Sequence, residues 1–210
     1  MSKYIDEKII REKNAYKAGV VGDIYRGVQI KEELYEFEPL ELFEGQVSVY
    51  LPKMFEDMSE KLAILKYPMN SRPQIIKTNK NTDVNFSFNL IPQKIDNEDI
   101  QLFTEQMKKV IKTVQSATVF FDVKYIDMAG NIADSLGEAE HIVDGRMNIS
   151  YFDYKSPAID EQIYNFMFFA PLKETILHGV FNCRYRDADI WKDIFIQVTD
   201  SVRKIERDYK

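Results

Sequence analysis

The stretch ETILHGVFNCRYRD, residues 174–187, holds the only cysteine of the chain, Cys183, and one of its two histidines, His178. A thiol and an imidazole close in sequence could form a nucleophile and its base, provided both side chains reach one another. The alternating apolar pattern of ILHGVFNCRY reads as a strand, in which successive side chains point to opposite faces. His178 and Cys183 are five positions apart, an odd number, so they are expected on opposite faces. At the rise of a strand they also lie about 16 Å apart, far beyond hydrogen-bond reach. Cys183 is therefore read as a small buried hydrophobe.

The other histidine, His141, sits beside Glu138, Glu140 and Asp144 in GEAEHIVDG. With two histidines and one cysteine in the whole chain, the four close ligands of a structural zinc site are not available. No D-x-[DN]-x-[DN]-G loop offers an oxygen cage for calcium, and among 34 carboxylates no acid pair stands out for hydrolysis. Gly19, Gly22 and Gly27 in AGVVGDIYRG lack the spacing of a phosphate loop and read as a linker. The sequence thus implies neither a catalytic residue nor a cofactor nor a metal. An excess of 34 acidic over 28 basic residues is the wrong sign for a nucleic-acid binder. The longest apolar runs fall short of the ~20 residues that span a bilayer, so no membrane insertion is expected. A lone cysteine and a start without a basic-then-apolar pattern point to the cytoplasm.

The elements that must carry these residues follow from periodicity. Residues 1–18 place Ile5, Ile9 and Ile10 at roughly helical spacing, so 1–35 reads as a helical extension and linker, with one domain over 36–210. QVSVYLP alternates as a strand, and VNFSFNL puts Val84, Phe86, Phe88 and Leu90 on one face against Asn85, Ser87 and Asn89 on a polar one. DNEDIQLFTEQMKKVIKTVQSA is a helix with a stripe of Ile100, Phe103, Met107, Val110, Ile111 and Val114. A run of strands then follows, with turns at Gly130 and Asn131 and at Asp144 and Gly145. The chain closes on an amphipathic helix carrying Trp191, Ile194, Phe195, Val198, Val202 and Ile205. Strand runs broken by two major helices indicate an α+β fold with an antiparallel sheet flanked by helices. Its core is expected to hold Phe86, Phe88, Phe103, Ile111, Phe166, Phe168, Trp191, Phe195 and Val198.

Residues 31–44, KEELYEFEPLELFE, carry six glutamates against one lysine, interleaved with apolar side chains. Such a stretch can offer an apolar anchor with an acidic rim, so Tyr35, Phe37, Glu38, Leu40, Glu41 and Phe43 are candidate docking residues for another protein or a second copy of the chain. An ordinary edge strand with solvated charge is the alternative for residues 37–43.

LELFEGQVSVYLPKMFEDMSEK, residues 40–61, resembles the opening of the Mog/PsbP-like family through Leu42, Phe43, Gly45, Leu51, Pro52, Phe55, Asp57 and Ser59. The far end, HGVFNCRYRDADIWKDIFIQVTDSV, is similar to that family's closing strand and aromatic-anchored helix. The resemblance covers roughly residues 40–205 and implies an α/β/α sandwich in a bacterial member. It also implies a non-catalytic interaction module or adaptor, since the family includes a Ran-binding nuclear protein, extrinsic photosystem subunits and chaperones for secreted effectors. At the Ran-binding stretch only Pro68 and Gln74 match, so Ran binding is not implied. Two other functions stay open: a carrier of a small apolar ligand held between helix and sheet, and a hydrolase using unrecognised carboxylates.

Overall fold

The computed structural model describes residues 13, 16, 17, 19–68, 72–126, 147–158 and 160–205. The expected helix over residues 1–18 lies almost wholly outside these, as do His141 and the turns at Gly130 and Asn131 and at Asp144 and Gly145. Three antiparallel sheets and three α-helices build the described fold. The largest sheet has seven strands in the order β6 (Glu56–Asp57), β7 (Ile75–Thr78), β8 (Asn85–Ile91), β12 (Ile176–Arg184), β11 (Gln162–Pro171), β10 (Ile149–Pro157) and β9 (Val119–Ile126). Every pairing in it is antiparallel, which gives the expected α+β class with a sheet flanked by helices.

One face of this sheet carries an aromatic core. Phe86 and Phe88 of β8, Phe181 of β12, and Phe166 and Phe168 of β11 are fully buried beneath α3 (Ala188–Asp200), which presents Trp191, Ile194, Phe195 and Val198 to them. The Phe168 ring lies so close over Gly179 that a Cβ there would come within 1.9 Å of it, so β12 needs a glycine at that point. Val202 is buried as expected, but α3 stops at Asp200 and the chain turns into β13 (Arg203–Lys204), paired with β5 (Val47–Pro52). β5 also pairs with β4 (Phe37–Leu42), and Val47, Val49 and Leu51 complete this side of the core.

The linker expected before residue 36 is corrected over residues 20–35. They form β1 (Val20–Asp23), β2 (Gly27–Ile30) and β3 (Glu33–Tyr35), a meander whose Val20, Ile24, Val28, Ile30 and Tyr35 belong to the same core as Trp191. Asp23 Oδ1 accepts from the backbone N–H groups of Tyr25 (2.9 Å) and Arg26 (3.0 Å), closing the β1–β2 turn. At Gly22, φ is +107° and a Cβ would meet the Gly27 carbonyl oxygen at 2.2 Å. The glycines are therefore hairpin geometry. Gln197 of α3 fixes the meander by accepting from the Ile24 N–H at 3.1 Å.

The opposite face is covered differently. α2 (Ile100–Val114) lies over β9, β10 and β11, and buries Ile100 and Thr104 there. Phe103, Met107 and Ile111 are only half-buried against Phe152, Met167, Phe169 and Ile176, so the full burial expected of Phe103 and Ile111 is corrected. Val110 and Val114, expected in the same stripe, are 52% and 77% exposed. Beyond α2 the side chains of β8 are polar but not solvated: Asn85 and Ser87 are 4% and 1% exposed. Thr78 Oγ1 donates to Asn85 Oδ1 (2.7 Å), Asn85 Nδ2 to Asn182 Oδ1 (2.9 Å) and Ser87 Oγ to the Val180 carbonyl (2.7 Å), so burial costs these groups no hydrogen bond. α1 (Glu60–Lys66) is tied to the β7–β8 turn by Lys66 Nζ, which donates to the Thr82 carbonyl.

Both edges of the large sheet are short of regular backbone. β6 has two residues. β9 shifts register against β10 between Val123 and Phe120, and Lys108 Nζ of α2 takes the carbonyl of Phe121 within that bulge at 2.9 Å.

Candidate interaction surface

β12 holds His178 and Cys183 on opposite faces of the sheet, as the odd spacing requires. Cys183 is buried in the aromatic core, where burial, with Asp187 and Asp83 nearby, raises its thiol far above the usual range. His178 stacks on Phe169 in the packing under α2, with centroids 4.9 Å apart and planes at 9°. Burial lowers its pKa to about 4, and its Nε2 is enclosed without a hydrogen-bond partner among the described residues. A protonated thiol and a neutral imidazole separated by a sheet cannot act as a dyad.

The structure adds a polar cluster that sequence reading missed. Asp153 of β10, 6% exposed, accepts from the Tyr164 hydroxyl of β11 (2.7 Å) and pairs with Lys192 of α3 (2.5 Å). Lys192 also lies over the Phe121 ring at 5.5 Å, and burial and the Asp153 charge push the Tyr164 hydroxyl well above its ordinary range. The cluster ties α3 to two strands: each group is consumed by its neighbours, and a buried carboxylate requires such partners. Its one signal in the sequence is an acid inside the otherwise apolar strand ISYFDY. At the end of the same sheet Arg184 bridges Glu161 (3.0 Å) and Asp83 (3.6 Å). Among the described residues no group of histidine, cysteine and carboxylate side chains could hold a metal ion.

The candidate docking residues divide by polarity. Tyr35 is buried edge-on against Trp191 (5.6 Å, 89°) and donates to Glu33 at 3.0 Å; burial, and then that carboxylate, raise its pKa to about 12. Phe37 is buried, and Leu40 and Phe43 are half-buried against the aromatic core. Glu38 and Glu41 face outward. The apolar candidates, expected to anchor a partner, thus pack on the core, and the acidic candidates Glu38 and Glu41 are the exposed ones.

Exposed apolar side chains gather elsewhere. Leu102, Val110 and Val114 of α2 are 60%, 52% and 77% exposed. At the start of α2 the chain leaving β8 folds back and leaves a cavity of about 450 Å³, lined by Lys94, Ile95, Asp96, Asp99, Leu102 and Phe103 among others. Ile95 and Phe103 are half-buried on the packing beneath α2, so the cavity has a fixed floor. Asp96 and Asp99 stand at its rim, and neither caps the helix through its side chain. Sequence reading assigned the whole stripe to the core because periodicity reports which residues share a side of a helix, not how wide the helix contact is.

No protein-family model matches the chain, and no curated protein matches it in sequence. Solved structures do match. The solution structure of the cyanobacterial PsbP (CyanoP) of Synechocystis sp. PCC 6803 superposes with a TM-score of 0.56 at 12% identity, over 83% of this chain and 96% of that one. A Pseudomonas aeruginosa protein of unknown function superposes with a TM-score of 0.44 at 9% identity, over 81% of this chain and 97% of that one. The first likeness establishes the PsbP-like fold that the sequence motifs implied. It carries the fold alone.

Proposed function

We propose that this chain, which has the PsbP-like fold, is a non-catalytic module that binds another protein through the outward side of α2. The observation that carries the reading is the exposure of three large apolar side chains on that helix, the first of which, Leu102, lines a cavity. Several large exposed apolar side chains on one helix mark contact sites more often than single exposed residues do. The histidine, the cysteine and the Asp153 cluster support it too, because their environments enclose them in packing. A lone cysteine held as a buried thiol fits a cytoplasmic setting, which belongs to the same reading. Within the described residues no helix is long and apolar enough to cross a membrane. The carrier alternative draws less support, since Ile100, Phe103, Phe152, Phe169 and Ile176 fill the space between α2 and the sheet.

The test is a triple substitution, Leu102→Gln, Val110→Gln and Val114→Gln, compared with the intact chain in affinity capture from the native cell and in thermal unfolding. The expected result is loss of a reproducible partner with an unchanged unfolding midpoint. A partner set identical for both proteins would refute α2 as the contact surface.

A further inference from the structure

We infer that the cavity at the start of α2 receives a cationic, amphipathic segment of the partner protein. One apolar side chain of that segment seats against Ile95, Leu102 and Phe103, and its lysine or arginine head groups meet Asp96 and Asp99. The inference rests on the interaction-module reading and specifies the partner's chemistry.

The shape of the site sets the apolar half. Ile95 and Phe103 pack on the layer beneath α2, and Leu102 projects beside them into solvent. A fixed floor next to an exposed leucine suits a side chain that loses its own water on entering. The charge sets the other half. Asp96, Glu98 and Asp99 are exposed, and none has an ion-pair partner among the described residues. Lys94, the cation at the cavity, lies 3.8 Å from Glu174. The helix dipole stabilises carboxylates in a first turn without cancelling their charge. Two unneutralised carboxylates lining a hollow with an apolar floor, with Glu98 between them in the chain, attract a cation and repel an anion, and the net charge of −6 acts in the same direction. Lysine and arginine suit both halves, because their alkyl stems lie along apolar surface while the charged head reaches the rim. An acidic segment or a nucleic acid would meet repulsion at the same rim.

The experiment uses the full chain and three short fluorescein-labelled helical peptides: one of lysine and leucine, one with glutamate replacing lysine, and one with serine replacing leucine. Fluorescence anisotropy measures affinity, and amide shifts in two-dimensional NMR locate the contact. The lysine–leucine peptide should bind best, weaken with added salt and shift amides within residues 93–106. Asp96→Asn with Asp99→Asn should weaken it by about tenfold, as should Leu102→Gln, with helicity unchanged by circular dichroism. Asp96→Asn alone, which leaves the first helical residues intact, should weaken it by a smaller factor. Absence of binding by the lysine–leucine peptide, shifts outside residues 93–106, or indifference to the aspartate substitutions would overturn the inference. If the glutamate–leucine peptide binds equally and only Leu102→Gln weakens both, the surface takes apolar segments without regard to charge. The interaction-module reading then stands and the cationic partner falls.

Discussion

The two faces of the seven-stranded sheet are packed by different means. On the α3 face, Phe86, Phe166, Phe181, Trp191 and Phe195 meet ring to ring at centroid distances of 4.6 to 6.5 Å, and three sets of strands close around them. On the α2 face a single helix half-buries its stripe, and the strands beyond it are held by the hydrogen bonds of Thr78, Asn85, Ser87 and Asn182. Aromatic packing buries the large side chains of one face ring against ring. The other face carries stability on a narrower contact and leaves apolar side chains facing solvent. The contrast in packing thus runs across the sheet, not along the chain.

Three measurements break or sharpen this contrast. Trp191→Ala should have the largest effect, a loss of about 3–5 kcal/mol in urea unfolding, because the indole touches Tyr35, Phe55, Phe86 and Phe195 at once. A loss below about 1 kcal/mol, the range of surface substitutions, would mean that the aromatic face is not the stabilising one. The next effect belongs to His178 and depends on pH. Its folded pKa, about 4, lies below the unfolded value of 6.5, so the unfolded state binds more protons between the two. Its contribution is fully present above pH 6.5 and declines as the pH falls towards 4, by no more than about 3 kcal/mol. The decline should disappear in His178→Phe when unfolding is followed across that window; an equal slope in both proteins would assign the acid sensitivity to other groups. The smallest effect is expected on the outer side of α2, where Val110→Gln and Val114→Gln should each change stability by less than about 0.5 kcal/mol. A larger loss would show that these valines are covered in the folded chain.

The alternating strands, both long helices and the parity of His178 and Cys183 were legible because each rests on a period that the chain displays locally. The meander of residues 20–35 was not. Its strands have three or four residues each and are separated by turns, too short for a period to emerge, and Gly22 and Gly27 look the same in a linker as in a tight hairpin. Truncation at residue 30 would remove Val20, Ile24, Val28 and Ile30 from the core, so it tests folding before it tests docking. Asn85 and Ser87 read only as members of a polar face because polarity is visible in a sequence, whereas the partners that satisfy a buried amide come from a strand almost a hundred residues away. The burial of Tyr35 and Phe37 was illegible for a related reason. Tyr35 and Phe37 have the composition of an anchor, but composition does not reveal which apolar residues the core has already used. The exposure of Leu102, Val110 and Val114 became visible only once the width of the helix footprint on the sheet was known.

The blunted sheet edges bear on how the molecule can multiply. A regular outer strand would let copies add edge to edge and grow into fibres without limit. Here a two-residue strand ends one side, and on the other the bulge in β9 breaks the ladder where Lys108 holds the Phe121 carbonyl. Among the described residues, backbone-templated growth finds no long straight row of groups on this sheet from which to start. Addition of copies edge to edge on this sheet is thereby disfavoured, which leaves side-chain contacts to join copies, and the symmetry of such contacts decides whether an assembly closes or extends.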